Sequence, residues 1–307
     1  MSTSLNLTSG MLNGYFPFLP TTGTVFHVGS TNANAKDDTS HGTRPDNPFA
    51  TLDYAVGRCT ASKGDLIIVQ PGHVETVAAA SGLVLDVAGI TVVGLGNGAL
   101  RPTVNLTATG STVVISAASV TVRNVIFTGT VDAVVTPILI TGADCSLFDV
   151  ETRDASSTQA TDFITATTAT RLMIDGWTHR GDAAAGAETA ISIIGGDGIT
   201  IRNFWIDGNF GTACIENVTT ACTNITIGGG HRMNYARTRN AADVIVTLVA
   251  TATGNIGPNI YARLLDDAAN ITEAFVAADG NFFQPISIVN ADGEVGLNTN
   301  ITASADL

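Results

Sequence analysis

The sequence predicts an all-β protein wound as a parallel β-helix, and three observations carry that prediction. The composition comes first. Of 307 residues 45% are hydrophobic, 6% aromatic, 13% charged and 32 are Gly. That is apolar enough for a core, yet it lacks the Leu- and charge-rich faces of helical bundles and coiled coils. The second observation is an internal repeat. Six segments, Ile90–Gly94, Val120–Asn124, Cys145–Asp149, Leu172–Gly176, Ile199–Asn203 and Ile225–Gly229, share one pattern, and their first residues lie 30, 25, 27, 27 and 26 positions apart. Positions one and three are apolar in all six, and position two is Thr or Ser in all but the Met173 segment. Such alternation buries one and three and turns two outward, as a strand does. Third, position five is always Gly, Asn or Asp, the residues that accept a left-handed backbone and bend the chain.

About seven residues before most of these segments lies another β-prone run: Leu83–Val87, Val113–Ala117, Ile138–Thr141, Phe163–Ala166, Ala190–Ile194 and, less cleanly, Cys214–Val218. Each period therefore predicts strand, tight bend, strand, bend and a loop. A period near 27 residues is too short for a propeller blade and lacks the Leu/Asn spacing of leucine-rich repeats. Stacked coils solve the burial problem, because each coil completes its neighbour's apolar face. Seven coils at about 4.8 Å give a rod of about 34 Å.

The remaining elements follow in chain order. Residues 1–23 predict an extended arm with Tyr15, Phe16 and Phe18 as aromatic anchors for an assembly contact. Thr24–Ser30 predicts a strand. Asp46-Asn47-Pro48 offers a cap and a first-turn Pro for a helix over about 47–59, which closes the open end of the core. Gly64–Thr76 predicts the first coil. The β-helix is expected to span 24–239. Residues 240–307 are expected to form a separate small C-terminal β region for oligomerisation or attachment, with Phe282 and Phe283 as contacts.

The opening run Gly29-Ser30-Thr31 to Asn47-Pro48-Phe49-Ala50-Thr51-Leu52-Asp53-Tyr54-Ala55, followed by Gly64-Asp65-Leu66-Ile67-Ile68-Val69-Gln70-Pro71-Gly72-His73-Val74-Glu75-Thr76, resembles the start of the right-handed parallel β-helix (pectate-lyase-like) superfamily. In particular it is similar to β-helix proteins of tailed-bacteriophage virions. The resemblance covers about residues 24–235. It implies a right-handed coil, a homotrimer, and a choice between lyases, hydrolases, tailspikes and purely structural parts.

Net charge is −13, and the sequence shows no basic stripe, so neither nucleic acid nor membrane insertion is expected. The first twenty residues lack the basic and apolar regions of a secretory signal, which predicts assembly in a host cytoplasm. Cys59, Cys145, Cys214 and Cys222 form no CxxC pair or zinc spacing and are expected as packed free thiols. No cofactor or metal is expected. Asp144, Asp197 and Asp292 sit at bends but in no calcium motif, and Gly94–Gly98 is a turn without the Lys of a phosphate loop.

Acidic clusters on one outer face would mark an enzyme. The pectate-lyase and polygalacturonase motif sets that the resemblance suggests do not transfer: Ile174-Asp175-Gly176-Trp177 lacks the His after Asp, and Gly230-His231-Arg232 stands alone. The best catalytic candidates are Glu151, His179 and Asp207, at positions seven, eight and nine of three successive coils. Two coils separate the carboxylates by about 10 Å, near the spacing of an inverting pair. The register drifts by one per coil, however, which turns alternate side chains to opposite faces. Exposed, solvating side chains are therefore the expectation for these residues. His73 and Glu75 are expected as turn hydrogen-bonders, and Trp177, Phe204 and Trp205 as core or subunit contacts rather than a sugar platform. The expected function is a structural virion protein, a capsid decoration or cement protein more than a tail part. Its partners would be itself, the major capsid protein or another virion protein, and host surface polysaccharide. The alternative is a tailspike-like protein that binds or cleaves polysaccharide.

Overall fold

The computed structural model describes residues 21–154, 159–182, 186–239, 244–264, 275–276, 280–283, 286–289 and 295–297, side chains being described up to 264 and at 275. The expected arm anchors Tyr15, Phe16 and Phe18, and the side chains of Phe282 and Phe283, lie outside that set.

The chain is a parallel β-solenoid of three sheets. The repeat seen in the sequence is the structural register of the first sheet. Thr91, Thr121, Ser146, Met173, Thr200 and Thr226 pair Cα to Cα across successive coils. Positions one and three of all six segments are no more than 2% exposed, from Ile90 and Val92 to Ile225 and Ile227. The second sheet holds the runs expected before each segment, observed as Leu83–Leu85, Val113–Ile115, Ile138–Ile140, Asp162–Thr167, Thr189–Ile194 and Ala213–Asn217. The third sheet was not legible: it begins two residues after position five with strands such as Ile126–Gly129, Glu151–Arg153, Thr178–Arg180 and Trp205–Gly208. These strands are short and carry charged residues on their outer faces, so they give almost no periodic signal.

Bends follow a left-handed rule twice per coil. Position five is left-handed at Asn124, Asp149, Gly176, Asn203 and Gly229. A second ladder, missed in the sequence, occupies the residue before position one: Gly89, Ser119, Asp144, Arg171, Gly198 and Asn224.

The opening segment docks on the first coil. Val25–Val28 pairs in parallel with Leu66–Val69. The helix is shorter than expected, Leu52–Val56, and its cap is Thr51, whose Oγ1 accepts from the Tyr54 N–H, rather than the Asp46-Asn47-Pro48 run. Asp37 explains the shift: it accepts from the N–H groups of Ala50 and Thr51 and from the Thr51 hydroxyl, fixing the chain there. Leu52, Ala55 and Val56 enter the core. Buried Glu75 accepts the Leu52 N–H at 2.7 Å and sits 3.0 Å from His73 Nε2, while His73 Nδ1 accepts from Ser30 N. His73 and Glu75 thus fasten the opening segment to the first coil.

Beyond the expected boundary of 239/240 the described strands stay paired with the stack. Val246–Leu248, Thr253–Ile256 and Ile260–Arg263 extend the second, first and third sheets in parallel. Gly280–Phe283 and Ile286–Val289 continue the first and third. The change of architecture falls at Val295–Leu297, which turns back antiparallel on Ile286–Val289. The first sheet therefore reaches ten strands, a stack of about 43 Å at the usual interstrand spacing.

Candidate functional site

The three catalytic candidates lie on neighbouring strands of the third sheet but do not converge. Thr152, His179 and Ile206 are in register and all fully buried, so His179 points into the core. It packs against Phe163, Trp177 and Phe210 with ring centroids 5.4–6.1 Å away. Trp177 Nε1–H donates to Thr152 Oγ1 at 2.9 Å, and Thr152 Oγ1 lies 2.8 Å from His179 Nδ1. The Thr152 hydroxyl thus bridges the indole and the imidazole, with lone pairs enough to accept from both or to donate its own proton to Nδ1. Nε2 has no hydrogen-bond partner, and the nearest carboxylate, Asp154 Oδ2, is 3.7 Å away. Burial drives the His179 pKa down to about 3, so the ring is neutral at any ordinary pH. The same burial pushes Asp154 up to about 6, although its carboxylate accepts the N–H groups of Ala160 and Ala187.

Glu151 and Asp207 face outward, yet they are not the solvating side chains expected. They are 5% and 8% exposed, each enclosed by guanidinium groups. Glu151 accepts from Arg101 at 2.8 Å, Arg153 at 2.6 Å and Arg180 at 2.7 Å. Asp207 is held by Arg237 through both oxygens and by Arg239 at 3.1–3.2 Å. Burial raises each carboxyl. Hydrogen bonds from Arg153, and from Arg237 and Arg239, together with the arginine charges, outweigh that and hold both below the ordinary range. A general acid needs a raised pKa and a base needs a free lone pair. Both carboxylates are shifted away from what an acid needs, and the arginines occupy most of the lone pairs that a base would use.

A cluster that the sequence did not reveal lies on the second sheet. Thr165, Ser192 and Glu216 form one in-register column, and Asp162 and Glu188 stand nearby at the strand starts. Burial, then the charges of Asp162 and Glu188, push the Glu216 carboxyl up against a hydrogen bond from Ser192. Burial and Glu188 likewise raise Asp162, partly offset by the Thr189 hydroxyl that donates to it at 2.9 Å. Thr165 Oγ1 is buried without a hydrogen-bond partner. These residues are scattered over 55 positions of sequence and converge only because the coils stack, so no local motif announces them.

The remaining candidates have structural partners. Trp177 and Phe204 are core, whereas Trp205 is 37% exposed. Asp144 pairs with Arg171, and Asp197 accepts from Thr223 and Asn224; Asp292 lies outside the described residues. Gly98–Leu100 forms a single 3₁₀ turn. Among the described residues no three His, Cys, Asp or Glu side chains are placed to hold a metal ion. All four cysteines are free, and burial pushes the Cys59 thiol up to about 12 and that of Cys222 to about 11.

No protein-family model matches the sequence, and no curated protein shows significant similarity to it. Two solved structures are similar in course. A rhamnogalacturonan lyase is 13% identical, with 81% of this chain and 75% of that chain covered at a TM-score of 0.37. A pectin methylesterase from carrot is 11% identical, with 92% and 87% covered at a TM-score of 0.43. Likeness of that degree carries no functional argument; the β-helix assignment rests on the strand pairing itself.

Proposed function

We propose that the chain is a structural β-helix that works by assembly, a decoration or cement protein on the capsid surface of a tailed bacteriophage. The observation that supports a structural over a catalytic role is the state of the three catalytic candidates. Glu151 and Asp207 are neutralised by five arginines, and His179 is locked as a neutral core residue. The virion placement rests on the resemblance of the opening segment and on nothing in the site. Quantitative mass spectrometry of purified particles tests it. A copy number comparable to the major capsid protein supports decoration, whereas a tail-component copy number or absence from the particle overturns it.

The second sheet favours one other reading, a tailspike-like protein that binds or cleaves polysaccharide. Asp162 and Glu216, pushed upward by burial and by neighbouring carboxylates, are shifted in the direction that a general acid requires. Release of reducing ends from host capsule by the wild type, abolished in Glu216→Gln and Asp162→Asn, establishes this reading and defeats the structural one. No release by the wild type leaves the structural reading standing.

A further inference from the structure

Arginines enclose the outward carboxylates of the third sheet, Glu151 and Asp207. On the second sheet the fold supplies no such partner. Asp162, Glu188 and Glu216 stand on three successive coils. Among the described residues no Lys, Arg or His forms an ion pair with any of them. The charges that bear on them are carboxylates: Glu188 on Asp162, and both Asp162 and Glu188 on Glu216.

A second observation points to a missing donor at the same place. Ile164, Ala166, Ile191, Ile193 and Ile215 belong to the core, so alternation turns Thr165, Ser192 and Glu216 outward in one column. Thr165 is only 7% exposed, and its Oγ1 has no hydrogen-bond partner. Ser192 donates to Glu216 and Thr189 to Asp162 at 2.9 Å, which leaves each carboxyl with unused lone pairs. An arginine fork takes both oxygens of one carboxylate at once. Here the open acceptors come singly from different strands, beside a hydroxyl, and an ammonium with three independent donors suits them better. The column continues as Leu139, Val114 and Val84, all partly exposed. An apolar strip therefore borders the carboxylates, fit for the methylenes of a lysine stem and for apolar residues beside it.

We propose that the outer face of the second sheet docks a partner polypeptide through a lysine. Its ammonium sits on Asp162, Glu216 and the Thr165 hydroxyl, with Glu188 at the entrance, and its neighbouring apolar residues lie on the Leu139–Val114–Val84 strip. From Val84 to Glu216 the column spans five interstrand steps, about 24 Å, the length of about seven extended residues. A seated ammonium keeps both carboxyls ionised, the reverse of the state a general acid needs. The inference rests on the assembly reading for the existence of a partner and adds the surface and the partner's chemistry. Copy number in particles tests that reading and peptide binding tests this surface, so the two fail separately.

Isothermal titration of the full chain with a capped peptide of Lys, Leu and Ser tests it, at a salt concentration that screens diffuse attraction to a chain of net charge −13. The comparison probes are the same peptide with Arg for Lys, the same peptide with acetylated lysines, and spermidine. The lysine peptide is expected to bind and the acetylated one to give no signal. Glu216→Gln is expected to weaken binding about tenfold, the scale of one charge-assisted contact. Thr165→Val removes a hydroxyl that has no partner in the free protein, so it is expected to weaken binding about fivefold without lowering the melting temperature. Asp86→Asn, the same loss of charge at an exposed residue on the edge of the sheet, is expected to leave binding unaltered. Failure of the wild type to bind overturns the proposal, as does undiminished binding by Glu216→Gln or Thr165→Val, or a loss in Asp86→Asn as large as in Glu216→Gln. Equal affinity for the arginine or acetylated peptide overturns the ammonium assignment, and spermidine binding as tight as the peptide overturns the polypeptide partner.

Discussion

Glu151 shows at residue scale how an apparently catalytic carboxylate is put to structural use. Its oxygens are shared among Arg101, Arg153 and Arg180 from three coils, so one side chain ties together neighbouring turns of the stack. Glu151→Gln leaves the half-buried Arg101 without its counter-charge. Loss of a buried partner costs about 3–5 kcal/mol, but the exposure of Arg153 and Arg180 screens part of it, so denaturant unfolding is expected to show a loss of about 2–3 kcal/mol. Because the Glu151 and Asp207 pKa values are depressed, their stabilisation is present above the ordinary carboxylate range and disappears as pH falls through the folded values. Asp154 works in the opposite sense. Its folded pKa of about 6 lies above the ordinary 3.8, so the folded state binds the proton more tightly. The fold is favoured below pH 3.8 and loses that advantage as pH rises through 6. Asp154→Asn removes this dependence. Thermal melts at pH 4 and pH 8 are expected to show the variant gaining on the wild type by about 2–3 kcal/mol at the higher pH. A pH-independent difference would rule out the buried carboxyl as the source.

At the scale of the element, the bends set the geometry that the strands only continue. Asn203 is left-handed at φ 54°; its amide donates to Asp175 Oδ1 at 2.6 Å and its Oδ1 accepts from Arg232 N at 2.9 Å. Asn203→Ala loses both bonds and strains the backbone, whereas Asn203→Gly loses the bonds alone. Chemical denaturation is expected to rank Asn203→Ala below Asn203→Gly by about 1 kcal/mol. This bend was legible in the sequence because a residue type repeats every 25–30 positions beside an alternating apolar strand. The ladder before position one was not, because Ser119 and Arg171 interrupt it, adopting left-handed φ without belonging to the residue class that signals it. Tertiary stacking imposes the conformation there, and Asp144 is repaid through its pair with Arg171. The candidate site was read half correctly for a related reason. Drift in register correctly implied that Glu151 and His179 face opposite ways, but the arginines that neutralise Glu151 come from positions 101, 153 and 180, a set that only the coil stacking assembles.

For the whole molecule, the decisive property is that each coil is sheltered by the next. A solenoid is stabilised mainly by nearest-neighbour interfaces, so its ends are its weak points and need covering. Leu52, Ala55 and Val56 provide cover at the start. At the other end the expected boundary at 239/240 would leave Ile225, Ile227 and Ala236 on the terminal coil. These side chains are fully buried, and their strands are paired onward with Thr253–Ile256 and Ile260–Arg263. Ending the chain after Arg239 removes those partners and, on the second sheet, Val246–Leu248, exposing an apolar cross-section and three unpaired sheet edges at once, a template for edge-to-edge association. A chain of residues 1–239 is therefore expected to elute as aggregates in size-exclusion chromatography and to melt well below the full-length protein. A separate C-terminal domain predicts the reverse, a monodisperse fragment with the melting temperature of the intact chain. The parallel pairing from 246 onward favours the first outcome, since strands in register with the stack contribute to its interior and not merely to its attachment.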